Sequence, residues 1–154
     1  EIKLLYAIGS GDLLAVHGEE AVLSALGSVE TLVVQDANTS VLTERAHVVL
    51  PGLTWAEKEG SFTNFAGRVQ RIRQALTPAE GLLSDGEILF QLTGWVREGK
   101  APAGAFDARG TWSEIAARVP GYQGLSLEAL GSRGRAATAT PAPGLEAAPA
   151  PGEA

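Results

Sequence analysis

The chain has 154 residues, 45% hydrophobic and 19% charged, which is the balance of a folding globular protein and fits one domain of roughly 100–150 residues. A net charge of −6 repels nucleic-acid phosphates, so no nucleic-acid partner is expected. With no cysteine there is no disulfide, no thiolate zinc site and no iron–sulfur cluster ligated from this segment.

Taken in chain order, Ile2 to Ile8 is a β-favouring apolar run stopped by Gly9-Ser10-Gly11-Asp12, and Thr31 to Val34 is a second run ending on Gln35-Asp36. Between them Val22, Leu23 and Leu26 recur at helical spacing, with Glu19 and Glu20 in the first turn and Gly27 as the stop. A turn of helix around Leu42 to Ala46 leads to a third strand, His47 to Leu50, closed by Pro51-Gly52. This order predicts an α/β fold with part of a doubly wound parallel sheet joined by right-handed crossovers.

The segment from 57 to 70 is polar and glycine-punctuated and predicts a loop or irregular hairpin. In the extended run that follows, Val69, Arg71, Arg73 and Ala75 alternate with Gln70, Ile72, Gln74 and Leu76, so Arg71 and Arg73 share a face, expected to meet solvent or a partner. Ser84 and Glu87 have the capping-box form before Ile88, Leu89, Leu92, Trp95 and Val96, up to Gly99. Thr111 and Glu114 repeat the box before Ile115, Ala116 and Val119, and a short helix is expected from Ser126 to Leu130. Beyond Gly131, residues 132–154 are rich in alanine and proline and predict a flexible tail, because such a composition buries too little apolar surface to offset its ordering entropy. No apolar run approaches the roughly 20 residues that span a bilayer, so no direct membrane insertion is expected. A chain that starts at Glu1 without a basic leader and contains no methionine reads as a fragment or processed product.

Candidate sites are few. Gly9-Ser10-Gly11 resembles the start of a dinucleotide fingerprint, but its third glycine would fall at Leu14. Asp12 and Asp36 could form an acidic pocket at the carboxyl ends of neighbouring strands, or Asp36 could serve as a turn or cap residue. His17 and His47 lack metal-ligand spacing. Glu57 and Glu59 on a polar loop suit solvated charges better than an acid–base pair. Arg68, Arg71 and Arg73 form a basic strip that fits either a carboxylate-rich or phosphate-bearing neighbour or a salt-bridged surface strand. Trp55, Trp95 and Trp112 are core or interface anchors.

The stretch from Val33 to Gln74 resembles the molybdopterin oxidoreductase family. Its members carry a strand ending in Gln-Asp, then Ala-Asp-Val-Val-Leu-Pro, then a glutamate-to-glutamine block. Here these read Val34-Gln35-Asp36, then Ala46-His47-Val48-Val49-Leu50-Pro51, then Glu57 through Gly60, Asn64, Gly67 and Arg68 to Gln70. The run Trp112 to Leu130 resembles the family's later helical region, so residues 1–131 read as the C-terminal part of such a domain. The chain departs from pterin-binding members at Ser40-Val41-Leu42, at His47 and at Gly9-Ser10-Gly11-Asp12. A buried polar cofactor would be left without partners beside Val41 and Leu42.

Ala56 to Gly60 and Gln70 to Pro78 are most similar to the branch that keeps this fold without the pterin, the large iron–sulfur subunit of bacterial NADH-quinone oxidoreductase. That resemblance implies a structural, non-redox region, with Ser10, Asp36 and Asn38 lining a vestigial pterin crevice. It implies that Glu57, Gly60, Asn64, Gly67, Arg68, Arg71 and Arg73 form a structural or interface motif. It also implies iron–sulfur clusters (4Fe-4S and 2Fe-2S) elsewhere in the subunit, FMN in a partner subunit, and a peripheral arm of several subunits on the cytoplasmic side of the inner membrane. The alternatives are a fragment of a molybdenum or tungsten enzyme such as a formate dehydrogenase, and a free-standing α/β binding module.

Overall fold

The computed structural model describes residues 2–9 and 11–137, without the side chains of residues 11–13. The chain divides into two units that interleave along the sequence: Glu1–Glu57 with Thr77–Phe106, and Lys58–Leu76 with Asp107–Ala154.

The first unit is α/β. Strands β1 (Leu4–Ile8), β2 (Thr31–Asp36) and β3 (Val48–Pro51) alternate with helices α1 (Gly11–His17), α2 (Glu19–Leu26) and α3 (Val41–Arg45). The strands form one parallel sheet in the order β1-β2-β3, with Leu4 opposite Thr31 and Val33 opposite Val48. Period-two alternation sends Leu32 and Val34 of the central strand to one face, where they are buried with Val22 of α2 and Leu42 of α3. Full burial of each such side chain stabilises by about 1.5–3 kcal/mol. At the start of β3, His47 Nδ1 accepts the Leu32 N–H at 3.0 Å while the His47 N–H donates to the Leu32 carbonyl at 2.8 Å.

Helix α4 (Asp85–Glu98) closes this unit. Its N-cap is Ser84, whose hydroxyl accepts the Glu87 N–H while the Glu87 carboxylate accepts the Ser84 N–H at 2.7 Å, the reciprocal box expected from the sequence. Gly99 ends it in the left-handed conformation at φ 68°, where a Cβ would be strained. Phe90 of α4 and Phe106 tilt against one another with centroids 6.4 Å apart.

The second unit is built on an antiparallel sheet of β4 (Gly60–Thr63), β5 (Arg68–Ile72) and β6 (Arg135–Ala136), ordered β4-β5-β6. Residues 132–137, grouped with the tail by composition, thus carry a strand paired with Arg68 and Val69. Residues 138–154 lie outside the described residues. Helix α5 (Ala108–Arg118) supplies Trp112 to a core with Val69, Leu127 and Leu130. The indole donates to the Leu125 carbonyl at 3.2 Å and meets Tyr122 edge-on.

Four expectations need correction. Helix α5 starts at Ala108 behind the N-cap Asp107, whose carboxylate accepts the Arg109 N–H at 3.0 Å. That leaves Thr111 within the helix and not at its cap. Residues 127–130 are turns and not a helix, although the Leu130 N–H does reach the Ser126 carbonyl. A single such bond does not propagate. Trp55 and Trp95 are exposed, which removes the core alternative for them and leaves the interface one, whereas Trp112 is buried in the core. Arg71 does not face solvent: it lies two residues from the fully buried Val69 on the same, inner side of β5, and it does not share that placement with Arg73, which lies past the strand and is exposed.

Candidate functional site

The carboxyl ends of β1, β2 and β3 are where an open parallel sheet offers ligands a crevice, at a point where the strand order reverses. Here the order β1-β2-β3 runs one way across the sheet, so the described strands contain no such reversal.

Gln35, fully buried near the end of β2, organises this region. Its side-chain carbonyl accepts the Tyr6 hydroxyl hydrogen from β1. Its amide donates to the Asp85 carboxylate at 2.7 Å, in the first turn of α4. A buried amide in an apolar strand is tolerable only with such partners. Burial raises the Tyr6 phenol above its ordinary value, and the Asp85 carboxylate adds to the rise. Gly52, just after β3, makes a parallel bridge to Leu83. A Cβ there would sit 3.2 Å from the Asp85 carboxylate.

Asp36 is a turn residue, its Oδ1 accepting the Asn38 N–H at 3.0 Å. Asn38 is exposed on the following loop. Ser10 lies outside the described residues, as does the Asp12 side chain, so their place beside Asp36 is not described. Further on, the Ser40 hydroxyl accepts the Thr43 N–H at 3.3 Å and Thr43 Oγ1 accepts the Ser40 N–H at 2.8 Å. Leu42 inside that box is fully buried in the apolar core. The side chains of Asp36, Ser40 and Thr43 are thus engaged in local turns, those of Asn38 and Thr39 are exposed, and the side chain at 42 points into the core.

The residues of the glutamate-to-glutamine block do local structural work. Glu57 accepts both the N–H and the hydroxyl of Thr54, at 3.0 and 2.7 Å. Those two bonds, the side-chain one first, hold its carboxyl below the usual range. In the second unit, Gly60 opens β4 opposite Ile72. Asn64 shapes the hairpin, its Oδ1 accepting the N–H of Ala66 and of Arg68 at 3.0 and 2.9 Å. Gly67 completes the turn at φ 71°, a conformation that favours glycine.

The three arginines part company. Arg68 is exposed, with long contacts of 3.5 and 3.4 Å to the carbonyls of Arg133 and Gly134. Arg71 is largely buried and ion-paired with Glu59, while its Nε has no partner among the described residues. Arg73, past the end of β5, is exposed. Nearby, Arg109 pairs with Glu128 at 2.7 Å. The Glu128 carboxyl is held low by a backbone hydrogen bond first and by Arg109 and Arg71 after it.

Sequence reasoning missed Gln35 as an organising residue. The signal was available: a lone amide between Val34 and Asp36 at the end of an apolar strand requires a partner. Among the described residues, no cluster of three or more metal-ligating side chains forms and no helix is long and apolar enough to cross a membrane.

Residues 1–94 match the family model described as molybdopterin oxidoreductase. The chain is 36% identical over 134 residues, 87% of its length, to the F420-dependent formate dehydrogenase 2 subunit alpha of Methanococcus maripaludis, covering 20% of that protein. It is 36% identical over 140 residues, 91% of its length, to an NADH-quinone oxidoreductase subunit of Rhizobium meliloti, covering 16% of it. It is 35% identical over 147 residues to the NADPH-Fe(3+) oxidoreductase subunit alpha of Geobacter sulfurreducens, 93% of this chain and 16% of that one. The chain therefore spans a fifth or less of the length of these relatives.

Proposed function

Because this chain belongs to the molybdopterin oxidoreductase family, we propose that it serves as a structural, non-redox region of the large iron–sulfur subunit in the peripheral arm of an NADH-quinone oxidoreductase. In that role it braces neighbouring segments and subunits that pass electrons from NADH through FMN and iron–sulfur clusters to quinone. The observation that carries this reading is the use of residues 36–43. Asp36, Ser40 and Thr43 are engaged in their own turns, and Leu42 is buried in the core. A pterin dinucleotide needs hydrogen-bonding side chains left over to meet it, and with Asp36, Ser40 and Thr43 engaged this loop offers the exposed Asn38 and Thr39, a sparse set for such a group. The absence of cysteine agrees with clusters held by other segments.

A second reading, a piece of a molybdenum or tungsten pterin enzyme, is favoured by the formate dehydrogenase relative, which is as similar as the quinone oxidoreductase one. In that case the crevice beside Ser10, Asp36 and Asn38 would face the pterin. Elemental analysis of the native particle that contains this chain, purified without oxygen, separates the two. Iron without molybdenum or tungsten is the expected result. About one molybdenum or tungsten per chain would establish the second reading in place of the first.

A further inference from the structure

The parallel sheet has two apolar faces, and only one of them is fully covered. Leu32 and Val34 disappear under α2 and α3. On the opposite face, Leu4, Val33, Val48 and Leu50 border a groove of about 550 Å³ whose other wall is Leu89 and Val96 of α4. Leu4 and Val48 remain 60% and 46% exposed, and Val96 is 84% exposed.

Parallel sheets occur almost only with helices over both faces. Three strands about 4.8 Å apart present a face roughly 14 Å wide, more than one helix of about 10–12 Å diameter covers. The groove also has a charge on its rim. Arg97 lines it and enters none of the ion pairs formed among the described residues. An apolar trough beside a cation calls for an amphipathic helix with apolar side chains at i, i+3 and i+4 and a carboxylate at its edge.

We propose that this groove seats one further amphipathic helix, lying alongside α4 on the same sheet face and setting an acidic side chain against Arg97. The helix comes from the same polypeptide. This rests on the reading of the chain as a region of a large subunit, whose relatives are five to six times as long as the stretch they share with it. The groove is thus a surface through which the region is built into the subunit.

The chain has no cysteine, so a single thiol introduced in this stretch reports on the groove alone. Val48→Cys and Val96→Cys are made in the native particle, and maleimide labelling at each position is followed by peptide mass spectrometry against the same particle unfolded in urea. Seated under a helix, both thiols label more slowly than in the unfolded particle by about tenfold or more. Arg97→Glu then speeds labelling at position 48 severalfold, whereas Arg97→Lys leaves it slow. A bifunctional reagent attached at position 96 joins it to a carboxylate-bearing helix of the same polypeptide. Labelling within about tenfold of the unfolded rate overturns the proposal. So does a cross-link to a second copy or to another subunit, or protection that vanishes on lipid extraction. Metal content decides the functional reading separately: open labelling in a particle that holds iron and no molybdenum or tungsten removes this inference and leaves that reading in place.

Discussion

Gln35 donates its side-chain amide to Asp85 at 2.7 Å and so ties the end of β2 to the first turn of α4 across 50 residues of chain. The bond is charge-assisted and inside the protein, where a hydrogen bond to a charged group is worth about 1.5–3 kcal/mol. Gln35→Leu keeps the volume but removes the acceptor of the Tyr6 hydroxyl and one partner of Asp85. It should destabilise the chain by about 2–3 kcal/mol, read as a lower urea midpoint at unchanged m-value. Gln35→Glu should not restore the loss, because it sets a second carboxylate beside Asp85.

The Tyr6 phenol is raised above its ordinary value of 10.0 by burial and by Asp85. A raised acid resists ionisation in the folded state, so its contribution to stability is fully present below 10.0 and is lost as pH climbs through the folded value. Urea midpoints should therefore fall on the alkaline side above pH 10.0, and Tyr6→Phe should flatten that limb while lowering stability at neutral pH by about 1–3 kcal/mol, because the buried Gln35 carbonyl loses its donor. An identical alkaline limb in Tyr6→Phe would show that another group controls it.

Gly94 sits inside α4, where alanine is ordinarily better than glycine by about 1 kcal/mol. Here a Cβ would fall 2.5 Å from Pro102 Cδ and 2.8 Å from its nitrogen, and backbone atoms of that loop cannot swing away as a flexible side chain can. Overpacking of this kind costs about 1–3 kcal/mol, so Gly94→Ala should lower the thermal midpoint despite the propensity gain. A raised midpoint would mean that residues 100–102 yield easily.

Arg71 and Arg68 lie three residues apart and should respond differently to alanine. Arg68 is exposed with only long contacts, so its loss should cost under about 0.5 kcal/mol. Arg71→Ala removes a largely buried stem beside Val69 and leaves Glu59 without its ion-pair partner. That should cost about 1–2 kcal/mol after allowing for the partial exposure of Glu59. Equal urea midpoints for the two variants would contradict the inner placement of Arg71.

The parallel strands were legible because each is an apolar run of β-favouring residues bounded by glycine, proline or acid, and α4 because Ser84, Glu87 and Gly99 mark both its ends. Helix α1 was not, since Gly11 and Asp12 read locally as a turn. The box at Ser40 escaped notice because threonine stands at its third position in place of Glu or Gln. For Arg71 the period of two showed which residues share a side but not which side is inward. Val69, the apolar residue on that side, was the missing clue. Strand β6 has two residues, too few for any pattern, and exists only through its pairing with β5. At the crevice, the loss of polar character at Val41 and Leu42 was plain in the residues themselves. The role of Gln35 depends on Asp85, which only the folded chain brings near.

The interleaving of the two units has a consequence for how the chain is made. A ribosome releases residues 58–76, which belong to the second unit, before residues 77–106 that complete the first. The first unit cannot seat α4 or satisfy Gln35 until that intervening hairpin has emerged, and the hairpin must wait for Trp112, Leu127 and Leu130 to cover Val69. Neither half can therefore be obtained by shortening the chain from one end: a stop after Glu57 strands Gln35 without Asp85, and a start at Asp107 strands Trp112 without Val69.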